Sequence, residues 1–102
     1  MSLQAAFIFL APGADAATHR ATVHTPGVDL TVIGVADYAG AEQAARSLVA
    51  QGIAAIELCG GFGIEGTARI ARAVDGKASV GVVRFDGHPG LDGKSGDTIF
   101  AG

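Results

Sequence analysis

At 102 residues and 10.1 kDa the chain has the length of one domain, which excludes a multidomain enzyme, and its single cysteine excludes a disulfide scaffold. With 49% hydrophobic and 17% charged residues it is not a disordered chain. A net charge of −3, with seven scattered cations and no basic run, excludes nucleic acid as a partner.

Residues 4–11 (QAAFIFLA) form an unbroken apolar run, the pattern of a strand buried on both faces, and Pro12-Gly13 ends it. Residues 14–24 read as a short, weakly amphipathic helix with His19 and His24 solvated, closed by Thr25-Pro26-Gly27. Residues 28–36 (VDLTVIGVA) are β-branched, with Asp29 and Thr31 on one face and Leu30 and Val32 on the other, as in an edge strand. Asp37 then serves as N-cap for a helix over 38–51, whose apolar stripe is Ala41, Ala44, Ala45 and Leu48. Glu42 and Arg46 form an i,i+4 pair on its outer face, and Gly52 stops it. Residues 53–59 (IAAIELC) are a third strand. A glycine loop, 60–63, leads into a helix over 64–75 with Ile64, Thr67, Ala68, Ala71 and Val74 inward, ended by Gly76. A fourth strand follows at 79–85. The tail, 86–102, has no helical period but holds Leu91, Ile99 and Phe100.

Alternating strands and helices predict one α/β domain over 1–102, with a four-stranded, mainly parallel sheet and helices on both faces. The expected architecture is a small flavodoxin-like or Rossmann-like three-layer fold of strand order 2-1-3-4, with its ligand beyond the strand C-termini. Twenty alanines and 16 glycines make the core thin. Open sheet edges and so little buried area imply a homo-oligomer, with the tail 86–102 packed on the sheet edge or on a neighbouring subunit.

Gly61-Phe62-Gly63-Ile64-Glu65-Gly66 is a literal G-x-G-x-x-G between a strand and a helix, and Asp86 lies 20 residues past Gly66. That spacing belongs to dinucleotide sites, but there the unit opens its domain and a second half follows. Here it is the last unit, so the turn points instead to a site for a small anionic or polar molecule. Gly87 to Ser95 resembles a phosphate-binding loop, yet His88 stands where that loop needs its first glycine.

The same sheet edge collects polar residues. Glu57 and Cys59 share one face of the third strand, and Arg84 and Asp86 share a face of the fourth. A Glu57–Arg84 pair is expected if these strands are neighbours. A small-ligand site would be lined by Gly60, Gly61, Gly63, Arg84 and Asp86. As an enzyme, the chain would use Cys59 as nucleophile, His88 as base and Glu57 or Asp86 as its orienter, with the 60–63 amides as an oxyanion hole. The alternative is an oligomeric module whose polar cluster is structural. Glu57, Asp86 and His88 have no spacing that demands a metal, so no metal is assigned and the cofactor is unknown.

The segments AFIFLAPGAD, IELCGGFG and VRFDGHPG resemble a family of small uncharacterised bacterial proteins, a domain of unknown function, over nearly the whole chain. The resemblance implies a small α/β domain in a bacterial cytosol and supplies no activity or site residue. A cytoplasmic location is also expected because the apolar stretch 5–11 is short for a secretion signal and no Lys or Arg precedes it. No run approaches a membrane span.

Overall fold

The computed structural model of the chain describes residues 2–101 and shows a mixed α/β architecture with a five-stranded, mostly parallel sheet. In chain order the elements are β1 (Leu3–Leu10), β2 (Arg20–His24), β3 (Val28–Val35), α1 (Tyr38–Ala50), β4 (Ala55–Leu58), α2 (Ile64–Val74), β5 (Ser79–Val82), a 3-10 turn (Pro89–Leu91) and α3 (Gly96–Ile99). The strand order is β2-β3-β1-β4-β5. Only β2 runs antiparallel to its neighbour.

This corrects the expected four-stranded sheet of order 2-1-3-4, and the reason lies in residues 14–24. No helix forms there. Asp15 folds 14–19 into a tight loop, its carboxylate accepting from the Ala17 amide (3.2 Å) and the Thr18 hydroxyl (2.9 Å). Arg20 to His24 then pairs with β3 across the Thr25–Gly27 turn, where the Thr25 hydroxyl donates to the Val28 carbonyl at 2.7 Å. Arg20, Thr22 and His24 alternate with Ala21 and Val23, a period of two that a five-residue segment does not separate cleanly from a helical face. Cross-strand partners complete the hairpin, Thr22 on Thr31 at 3.0 Å and His24 on Asp29 at 2.9 Å.

The missing helix decides the layering. Crossovers between parallel strands are right-handed. β3→β4 and β4→β5 both step in the same direction across the sheet, so α1 and α2 lie side by side on one face. The β1→β3 step runs the other way and would have put a helix on the opposite face, but it contains the β2 hairpin instead. The fold therefore has two layers, not three. The strand register sets two rows across the helix-free face. One is Val23, Leu30, Ala5, Ala55 and Ser79, and the next is Ala21, Val32, Phe7, Glu57 and Gly81.

The core lies between the sheet and the two helices. Ala6, Ile8, Ile33, Val35, Ile56 and Leu58 meet Tyr38, Ala41, Ala45, Leu48, Ile70 and Val74. Phe100 of the tail joins them at 6% exposure, and α3 packs on α2. Glu42 does not use Arg46. It takes a two-point bond from Arg69 of α2, at 2.9 and 3.3 Å, because two neighbouring helices bring a fixed guanidinium closer than a turn of one helix does. Among the described residues no helix is long and apolar enough to cross a membrane.

Asp37 caps α1 as its position suggests, accepting from the Gly40 amide at 2.8 Å. Asp37→Ala is expected to lower stability by about 1 kcal/mol, measured by urea denaturation. No change would show that the bond adds nothing to the helix.

Candidate functional site

The C-terminal edge of the sheet holds the G-x-G-x-x-G turn. α2 starts at Gly63 with no capping side chain of its own. The tail supplies one. Ser95 caps α3 by accepting from the Asp97 amide at 3.1 Å, and this aims the Asp97 carboxylate at the start of α2. Its oxygens accept from the Glu65 and Gly66 amides, both at 3.1 Å. The Tyr38 hydroxyl donates to the same carboxylate at 2.9 Å and accepts from the Gly63 amide at 3.0 Å. A carboxylate is an anion on a helix N-terminus, which is the place and the chemistry foreseen for an external ligand.

Two of the motif's three glycines, Gly63 and Gly66, are explained by the same contacts. A Cβ on Gly63 would land on the Asp97 carboxylate, and one on Gly66 would land on the Tyr38 ring. Alanine at Gly66 would favour helix by about 1 kcal/mol, but the ring it would strike is fully buried and cannot withdraw. The motif thus accommodates the chain's own tail, not a pyrophosphate.

Tyr38 is the hub. It is wholly buried, stacks on Phe62 at 5.5 Å, meets Phe100 at 6.2 Å and has the Arg69 guanidinium 5.6 Å from its ring centre. Burial pushes its hydroxyl up to about 12; the Gly63 N–H works against that shift and the Asp97 charge adds to it. Burial raises the Asp97 carboxyl too, but the Glu65 and Gly66 amides and the Tyr38 hydroxyl outweigh it and hold the group below its ordinary value.

The residues expected to form a reactive centre are not joined into one. Cys59 is half-buried, and its Sγ accepts from the Leu10 amide at 3.4 Å and the Gly61 amide at 3.3 Å. No hydrogen bond among the described residues links it to His88 or Glu57. His88 shapes the tail: its Nδ1 accepts from the Gly90 amide at 2.9 Å and its ring lies 4.6 Å from that of Phe85, which covers Gly60. Glu57 is exposed on the helix-free face. The expected Glu57–Arg84 pair does not form. Arg84 binds Asp86, two residues on, at 2.8 Å, because the chain leaves the sheet after β5 and both side chains turn to solvent. Of the ligand set, Gly60, Gly61 and Gly63 line the turn; the Gly61 amide donates to Cys59 Sγ, the Gly63 amide to the Tyr38 hydroxyl, and the Glu65 and Gly66 amides beyond them to Asp97. Among the described residues no group of three His, Cys, Asp or Glu could hold a metal.

A different concavity is open. It lies between α1 and the 14–20 segment, with a volume of about 380 Å³. Ile33, Val35, Ala44 and Leu48 make its floor, and Arg20, Asp15, Asp37, Gln43 and Ser47 its polar rim. The Arg20 guanidinium has no carboxylate within ion-pair distance among the described residues. Asp15 is held below its ordinary value, first by the Ala17 amide and then by the Thr18 hydroxyl. The sequence reading missed this cleft because its wall is the segment assigned to a helix. It missed Asp97 and Tyr38 as well, although the chain's one tyrosine, set beside a capping aspartate, signals a buried hydroxyl in need of a partner.

A family of unknown function, DUF6506, matches residues 3–98, and the chain belongs to it. No curated protein and no solved structure matches the chain.

Two outcomes follow from the Tyr38–Asp97 network. Since Tyr38 is the one tyrosine, ultraviolet titration of the folded protein should show phenolate only near pH 12, and titration in urea near its ordinary value of 10.0. A folded-state midpoint near the urea value would contradict the buried hydroxyl. Asp97→Asn should cost about 1–3 kcal/mol at neutral pH. The folded carboxyl titrates below 3.8, so its contribution is full above that pH and is lost as pH falls through the lowered value. Urea melts from pH 7 down to 2.5 should show the wild-type advantage shrinking below about pH 4; an advantage independent of pH would assign it to shape instead of charge.

Proposed function

We propose that this member of a family of unknown function binds a small molecule of the amino-acid class in the cleft between α1 and the 14–20 segment. The observation that supports the reading is the division of the cleft into an apolar floor and a rim bearing both signs of charge. Its volume falls in the range of roughly 300–1,000 Å³ common to small-ligand sites. Arg20 offers a planar fork for a carboxylate. Asp15 and Asp37 each spend part of their acceptor capacity on the backbone, and their remaining lone pairs face a ligand ammonium group. A ligand with negative charge alone would meet these two carboxylates, so the rim favours a zwitterion over a simple anion. Ile33, Val35, Ala44 and Leu48 suit an apolar side chain. The reading keeps a small polar ligand and moves it from the glycine turn, where the Gly61, Gly63, Glu65 and Gly66 amides are engaged, to the flank of α1 that carries Asp37, Gly40, Gln43 and Ser47. Cys59 has no hydrogen bond to a base among the described residues, and this reading gives it no part.

Thermal shift with leucine, isopentylamine and 4-methylpentanoate tests the pairing of charges. Leucine should raise Tm more than either single-charge analogue, and Arg20→Gln should abolish the difference. Gln43→Trp, which narrows the rim, should weaken all three, and Arg84→Gln should change none. No shift with leucine, or an equal shift in Arg20→Gln, would remove the reading.

A further inference from the structure

The helix-free face of the sheet is unlike the rest of the surface. Its two rows of five residues contain one ionisable side chain, Glu57. Val23 is 54% exposed there, and Leu3 and Val83 extend the apolar area at either end. Strands of eight, five, eight, four and four residues, at about 4.8 Å spacing and 3.3 Å per residue, span roughly 450 Å². A nearly uncharged face of that footprint matches the largest patch of a typical monomer, which is often a functional one.

We infer that this face is the docking surface for a second copy of the chain, giving a closed twofold dimer. Two such flat footprints total about 900 Å², short of the roughly 1,000 Å² that separates specific interfaces from incidental ones, and the relief of the side chains adds accessible area to each. The relief of the face is also self-complementary. Its β2–β3–β1 side is raised by Val23, Leu30, Val32 and Phe7, whereas its β4–β5 side is thin at Ala55, Ser79 and Gly81, from which Glu57 stands out, with Val83 beyond the end of β5. A Cβ at Gly81 would meet nothing within 4 Å, so that trough is open. A twofold axis in the interface and parallel to β1, the middle strand, lays each copy's raised side on the other's thin side. The sheets then stack about 10 Å apart. Glu57 lies one strand from that axis, so the two carboxylates fall on opposite sides of it and do not confront each other, although each loses water. The docking face is on the other side of the sheet from the cleft, and the two readings stand or fall separately.

Sedimentation equilibrium over a concentration series tests the inference on the full chain. The expected mass is twice 10.1 kDa, falling to the monomer on dilution. Val23→Glu, at an exposed edge position that the monomer fold does not need, should weaken the dimer at least tenfold. Val32→Glu should weaken it further, with circular dichroism checking that the monomer stays folded. Glu57→Gln should tighten it, and Arg46→Glu on the helical layer should leave it unchanged. A monomer at every concentration, a species larger than a dimer, or a dimer indifferent to Val23→Glu would each overturn the inference.

Discussion

The bond from the Tyr38 hydroxyl to the Asp97 carboxylate organises one whole end of the molecule. Tyr38 opens α1, Asp97 lies in α3, and their shared partners are the first amides of α2. Three helices that meet the sheet at separate points are thereby fixed to one another by a single ionised group. The physical demand behind it is general: the first amides of a helix need acceptors, and a helix dipole favours a negative one. Here the chain meets the demand from its own tail. Phe100 is drawn into the core by the same docking, and its carbonyl accepts from the Tyr38 amide at 3.4 Å. Among the described residues no buried polar side-chain atom is left without a partner.

The second constraint is the hand of the crossovers. Because both helix-bearing connections step the same way, the helices share a face, and the remaining connection leaves the other face bare. The two faces consequently differ in chemistry. The helical side offers a walled concavity where the 14–20 segment stops short of α1. The bare side offers a broad, nearly uncharged plane. A three-layer fold would have had neither, since a helix after β1 would have covered the plane and removed the loop that walls the concavity.

Much of this was legible in the residues. The strand at β1, the Asp37 cap and the strand–turn–helix around Gly61 follow from local rules of burial, capping and turn chemistry, and the structure has each of them, although β1 is covered by helices on one face and not on both. The hairpin was not legible. Five residues of mixed polarity satisfy two periodicities about equally, and β2 is specified by its pairing with β3 more than by itself. Nor could the site be read correctly from the glycines. A turn that spares a Cβ for a pyrophosphate and one that spares it for a carboxylate 31 to 32 residues away look the same along the chain. Glu57 was a fair signal: a charge on a central strand implies an unburied face, and the structure has it exposed on the face without a helical layer.

The sequence distance spanned by the Tyr38–Asp97 contact, 59 residues, also bears on how the protein is made. On a ribosome, α1 and the strands it covers emerge long before the group that completes α2. Until α3 is synthesised, the Glu65 and Gly66 amides lack the Asp97 carboxylate, whereas the Tyr38 hydroxyl that serves the Gly63 amide is already made. Every strand, α1 and α2 itself thus precede in synthesis the residue that completes the start of α2.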